Sequence, residues 1–133
     1  MPRVITKNLA KVYQTGRTEV IALRGIDLQI GSETLVAIRG PSGCGKTTLL
    51  NLIGGIDRLT AGEIEVDGLN ISQLGRRELV RYRRDQVGFV FQFFNLVPTL
   101  TALENVQLPM RLAGAITAER EKKSKELLGL VGL

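Results

Sequence analysis

Residues Gly40-Pro41-Ser42-Gly43-Cys44-Gly45-Lys46-Thr47 follow the spacing G-x-x-x-x-G-K-[ST], the pattern of a phosphate-binding loop. Glycines let backbone N–H groups turn inward around an anion. A helix starting where the loop ends adds its own uncommitted N–H groups and the positive end of its dipole. Lys46 is placed to reach the β- and γ-phosphates of a nucleotide as a point charge, and the Thr47 hydroxyl to ligand Mg²⁺. Thr48 adds a hydroxyl near the α-phosphate. Cys44, inside the loop, lies beside Lys46 and a helix start, a setting that favours thiolate; the plainer reading is a small residue where a side chain is tolerated.

Composition removes most other chemistry. The 133 residues contain no histidine and one cysteine. That excludes Ser-His-Asp and Cys-His triads, histidine-ligated metals, Cys-based zinc cages and internal disulfides. A chain 44% apolar and 23% charged is ordinary for a globular domain. Leu49 to Ile56, the longest nearly apolar run, is broken by Asn51 and two glycines, so no transmembrane segment is expected. The start shows no apolar stretch of a secretory leader. The net charge of +5 is concentrated: Arg76, Arg77, Arg81, Arg83 and Arg84 stand with a single acid, Glu78. The bland reading is a solvated helix face. With only Tyr82 among these arginines, direct nucleic-acid binding is not expected.

The elements that must position the loop follow from patterning. Val4–Tyr13 and Val20–Ile30 read as strands joined by a turn at Gln14–Arg17. Thr34–Ile38 is a short continuous apolar run, expected to be a strand covered on both faces in a parallel sheet. Leu49, Leu52, Ile53 and Ile56 mark one face of the helix after the loop, with Gly54-Gly55 weakening or ending it. Glu63–Val66 is a strand closed by an Asp67-Gly68 turn, Ser72–Arg84 a helix, and Gln86–Phe91 a further strand. Thr101-Ala-Leu-Glu104 is a capping box opening a helix to about Met110, with Pro109 expected to kink it. Thr117–Leu128 reads as an exposed helix with Glu121/Lys125 and Lys122/Glu126 spaced for ion pairs.

Together with the loop, three further stretches carry a family resemblance. They are Lys11-Val-Tyr13 followed by Val20-x-Ala22-Leu23-x-Gly25, Asp57-Arg-Leu-Thr60-x-Gly62-Glu63-Ile64, and Gly88-Phe-Val-Phe-Gln92. The sequence resembles the nucleotide-binding subunit of an ABC transporter over essentially its whole length. Gly88 to Val106, with Leu108-Pro109, is similar to the group that serves lipoprotein release, MacB-type export and FtsE-like division machinery. The resemblance implies an α/β P-loop NTPase fold of the ABC type with an N-terminal antiparallel β subdomain. It implies ATP and Mg²⁺ as cofactors, with Tyr13 stacking on adenine and Lys46 and Thr47 holding phosphate and metal. It implies further that Gln92 touches Mg²⁺ or the attacking water and senses the permease. A membrane permease and a homodimer of nucleotide-binding subunits are the implied partners. The implied location is cytoplasmic, on the inner face of the membrane through that permease, and the apolar stretch Phe93–Leu100, if exposed, favours a permease contact.

The same resemblance divides the chain into β-subdomain strands (1–32), a P-loop core through Gln92 (33–92) and the start of a helical subdomain (93–133). It places the Leu-Ser-Gly-Gly-Gln signature, the Walker B strand ending in Asp-Glu and a switch histidine outside these residues, so the domain reads as truncated before them. No Asp-Glu pair occurs in the sequence. The 133 residues are therefore expected to bind MgATP and hydrolyse it poorly or not at all, and the general base is not among them. The alternatives are a non-enzymatic nucleotide-binding module working through a partner and, from another class, a P-loop kinase or GTPase. The guanine-specific run of the latter is not found, since Thr6-Lys7-Asn8-Leu9 lacks the aspartate.

Overall fold

The alternation in the first thirty residues does build strands. In the computed structural model, which describes residues 2–133, β1 (Pro2–Thr15) and β2 (Thr18–Gly31) form a long antiparallel hairpin. Thr15 pairs with Thr18 across Gly16 and Arg17, and the ladder continues through Tyr13 opposite Val20 and Lys11 opposite Leu23. β3 (Ala61–Val66) pairs with the other edge of β1, and the short β4 (Leu69–Asn70) folds back on β3 after the Asp67-Gly68 turn. The sheet order is β2-β1-β3-β4, antiparallel throughout.

α1 (Lys46–Ile53) starts at the end of the glycine loop. It buries Leu49 and Leu52 against a core that includes Leu9, Leu23 and Ile64 from the strands. Gly54 closes it by donating its N–H to the Leu50 carbonyl at 2.9 Å, and Gly55 turns the chain away at φ +67°. α2 (Arg76–Gln86) adds Leu79 and Tyr82 to the same core. The Tyr82 hydroxyl donates to the Ile53 carbonyl at 2.8 Å, which ties α2 to the C-terminal end of α1. Burial, with the Asp67 charge second, raises the Tyr82 phenol above its ordinary value.

Three expectations need correction. Residues 34–38 form no strand: Leu35 and Val36 are exposed and only Ile38 packs toward the core. Residues 87–91 likewise form no strand, and α2 has taken Gln86. A parallel strand exists only through ladder bonds to neighbours, and neither stretch is one of the four strands of the described sheet. The helix expected over Ser72–Arg84 is broken as well. Ile71–Gln73 is a single 3₁₀ turn, and Gly75 restarts the chain as the cap of α2, its N–H donating to the Glu78 carboxylate at 2.7 Å. Ser72 is occupied elsewhere, its hydroxyl accepting the Ile64 N–H at 2.6 Å.

The chain divides into two units, one ending at Phe89 and one running Val90–Leu133. In the second, α3 (Ala102–Leu112) and α4 (Thr117–Leu130) pack together. The Thr101 capping box forms as expected: the Glu104 N–H donates to the Thr101 hydroxyl, and the Thr101 N–H to the Glu104 carboxylate at 2.7 Å. That backbone bond, with the Thr101 hydroxyl second, holds the Glu104 carboxyl below its ordinary value. On α4 the ion pair that forms is Lys123–Glu126 at 3.7 Å, not the two pairs read from spacing.

Candidate functional site

Gly40, Gly43 and Gly45 all adopt positive φ, so residues 40–45 curl in a way that side chains with a Cβ resist. Gly45 is the N-cap of α1, and no side chain caps the first-turn N–H groups of Lys46, Thr47 and Thr48. Those donors, at the positive end of the helix, are what an anion needs. The back of the loop lies against β2. A Cβ on Gly45 would stand 2.6 Å from the Ala22 carbonyl oxygen and 2.8 Å from a Leu23 methyl. A Cβ on Gly43 would meet nothing within 4 Å.

Lys46 turns its ammonium into this curl. It donates to the carbonyls of Gly40 at 2.9 Å and Pro41 at 2.7 Å, and lies 3.6 Å from the Cys44 sulfur. The positive charge is thereby held at the loop, with two backbone carbonyls as its nearest acceptors, which a phosphate oxygen outcompetes. Cys44 is exposed. The Thr47 side chain is also exposed, on the first turn of α1. A hydroxyl is the hard oxygen donor that Mg²⁺ accepts, and Mg²⁺ bound to a nucleotide needs few protein ligands because phosphates and water supply the rest. The loop residues thus suit both phosphate and its metal. No cluster of three His, Cys, Asp or Glu that could hold a metal ion occurs among the described residues.

Tyr13 lies on the hairpin beside the loop. Its partner Val20 is two residues along β2 from Ala22, the residue against Gly45. The residue is 37% exposed. Its hydroxyl donates to Asp57 Oδ2 at 2.7 Å, and Asp57 Oδ1 pairs with Lys11 Nζ at 2.8 Å. Burial acts to raise the Asp57 carboxyl, but the hydrogen bonds from Lys11, Tyr13 and the Arg58 N–H outweigh it and hold the group below its ordinary value. A carboxyl held low stabilises the fold at every pH above its ordinary value and loses that contribution as pH falls through the lowered one. Acid titration followed by circular dichroism should therefore show a steeper loss of stability below about pH 4 in the parent than in Asp57→Asn.

Gln92 belongs to the second unit and is exposed, as are Phe93, Phe94 and Leu96. The arginines do not form one uniform solvated face. Arg84 makes a two-pronged pair with Asp85, at 2.6 and 2.8 Å. Arg83 is half-buried and donates to the Gly55 carbonyl at 2.7 Å. With Arg58, Arg76 and Leu79 it lines a cavity of about 400 Å³.

The architecture and the loop can be compared with known proteins. The family described as ABC transporter matches residues 23–133. The chain belongs to that family. An uncharacterized ABC transporter ATP-binding protein of Thermotoga maritima is 49% identical over 123 residues, covering 92% of this chain and 53% of the relative. The lipoprotein-releasing system ATP-binding protein LolD of Alcanivorax borkumensis is 42% identical over 132 residues, covering 99% of this chain and 58% of the relative. Among solved structures, the ATP-binding cassette MJ0796 of Methanocaldococcus jannaschii, a dimer bound to ADP and Pi, superimposes with a TM-score of 0.88 at 45% identity. That match covers 98% of this chain and 57% of the cassette. The chain thus spans little more than half the length of these relatives. The ABC ATPase fold with its N-terminal antiparallel sheet stands as expected.

Sequence reasoning missed three residues that organise the family's elements here. Lys11 is 9% exposed on β1, close to the fully buried Leu9. A charge alternating with a core leucine signals a buried partner, and that partner is Asp57. In the second unit, Asn105 holds the stretch before α3: its Oδ1 accepts the Val97 N–H at 2.8 Å, and its Nδ2 reaches the carbonyls of Val97, Leu100 and Thr101. No local spacing rule points to that role.

Proposed function

We propose that the chain is the nucleotide-binding part of an ABC transporter subunit that binds MgATP and drives a membrane permease. The observation that carries this is the curled glycine loop at the start of α1, with the Lys46 ammonium held at its carbonyls. In this reading residues Gly40–Thr48 hold the phosphates and Thr47 carries Mg²⁺. Tyr13 stacks on adenine, and Gln92 reports on the metal and the permease. The nucleotide binds and is oriented by these groups, and Mg²⁺ neutralises phosphate charge. Activation of water needs a carboxylate, and none of the residues this reading assigns to the nucleotide is one, so these 133 residues are expected to turn over ATP poorly or not at all.

Export or lipoprotein release is the transport class, supported by the likeness to LolD. Pairing of two such subunits is supported by the dimeric MJ0796 cassette. The exposed Phe93, Phe94 and Leu96 supply apolar surface for a permease contact. No described helix is long and apolar enough to cross a membrane.

Calorimetric titration with MgATP tests the reading. The parent should bind saturably, and Lys46→Ala should weaken binding by about 10- to 100-fold, the worth of a charge-assisted contact. Equal affinity in parent and variant would overturn it. Steady MgATP turnover that Lys46→Ala abolishes would overturn the claim of poor hydrolysis.

A further inference from the structure

The residues around Tyr13 do more than fill a sheet edge. Lys11 places a cation on the core-facing side of β1, a costly position unless the charge is paired. Its ammonium is shared between Asp57 Oδ1 at 2.8 Å and the Arg58 carbonyl at 2.6 Å. The same ammonium stands 4.6 Å from the centroid of the Tyr13 ring, within cation–π range. Asp57 grips the other end of the ring, its Oδ2 accepting the Tyr13 hydroxyl at 2.7 Å. The Arg58 N–H fixes the carboxylate in turn, at 2.7 Å to Oδ1.

One tyrosine ring is thus held at its hydroxyl and on one face. A ring held in this way has given up its rotational freedom before any ligand arrives, so stacking on it costs less. The cation also draws electron density from the ring, which suits the ring to stack against an electron-rich base on the opposite face. The position is the right one: Lys11 is opposite Leu23, whose side chain abuts Gly45 of the loop, and Tyr13 is opposite Val20. From Val20 to Leu23 is about 10 Å of strand.

We propose that Lys11 and Asp57 are positioning residues that preorganise Tyr13 as the platform for the nucleotide base. The proposal rests on the phosphate-loop reading above and adds to it a pair of residues that touch no part of the nucleotide. Asp57 follows the end of α1, so the helix that presents the phosphate donors at one end carries the clamp for the base platform beyond the other.

The experiment compares MgATP with inorganic tripolyphosphate, which offers the loop the same phosphates and has no base. Tyr13→Phe keeps the stacking ring and deletes only the hydroxyl that Asp57 holds. Lys11→Met keeps the stem and deletes the cation. Each should weaken MgATP by about fivefold, the worth of one hydrogen bond or one cation–π contact, and leave tripolyphosphate within about twofold. Tyr13→Ala, which removes the platform itself, should cost MgATP more than either. Should Lys11→Met fail to fold, Tyr13→Phe decides alone, because it removes one oxygen from a partly exposed ring.

Unchanged MgATP affinity in Tyr13→Phe, or equal weakening of both ligands, overturns the clamp while leaving the phosphate loop standing. A parent that binds both ligands equally tightly overturns the base platform. A parent that binds neither overturns the phosphate-loop reading, and the clamp with it.

Discussion

Gly45→Ala is expected to lose nucleotide binding and to destabilise the fold together, more than any other single-atom addition in the loop. Gly45 sits at φ +93°, where a Cβ is strained by about 1–2 kcal/mol in open space. Space is not open there, since the new carbon would stand 2.6 Å from the Ala22 carbonyl oxygen, a backbone atom of β2 between the Lys11–Leu23 and Val12–Ile21 pairs, and 2.8 Å from a Leu23 methyl. Overpacking of that kind typically adds about 1–3 kcal/mol. Relief requires the start of α1 to move off the hairpin, and with it the uncapped N–H groups that the phosphate needs. Gly43→Ala is the control: its φ of +80° is equally unfavourable, but nothing lies within 4 Å of the added carbon. Denaturant melts of the two variants should differ by about the overpacking cost. Coincident melts would show that the hairpin does not form the back wall of the loop.

Leu52→Ala should produce the largest loss of stability on α1. Leu52 is 1% exposed and packs with Leu9, Leu23 and Ile64 between helix and sheet. Removing its side chain costs about 2–5 kcal/mol, a large share of the stability of an ordinary domain. Leu50, two residues earlier on the same helix, is 53% exposed, and Leu50→Ala should stay within about 0.5 kcal/mol of the parent. The helix carries the loop's donors, so MgATP affinity in Leu52→Ala should fall in step with the folded fraction. Saturating MgATP should then recover stability through mass action. A Leu52→Ala chain that melts with the parent would mean that α1 is not anchored by this face.

Local pattern was a good guide wherever the governing interactions are local. The hairpin, the end of α1 at Gly54, the Asp67-Gly68 turn and the Thr101–Glu104 box involve groups a few residues apart, and each appears where spacing put it. It failed at residues 34–38 and 87–91, whose apolar runs carry strand propensity. A strand is made by its ladder neighbours, and neither stretch joins the ladder of the described sheet. It also failed at Ser72, where a tertiary bond to the Ile64 N–H competes with helix formation.

The sequence by itself determined the curled loop proposed to hold phosphate, because eight consecutive residues contain its geometry: three glycines to turn the backbone, a lysine and a hydroxyl on the helix start. Tertiary structure alone decided what surrounds the loop. Lys11, Tyr13 and Asp57 are brought together across more than forty residues of sequence. No periodicity encodes their meeting. It follows from β1 lying inside the sheet and the core shared by the hairpin and α1, which leaves a buried ammonium that must find a carboxylate.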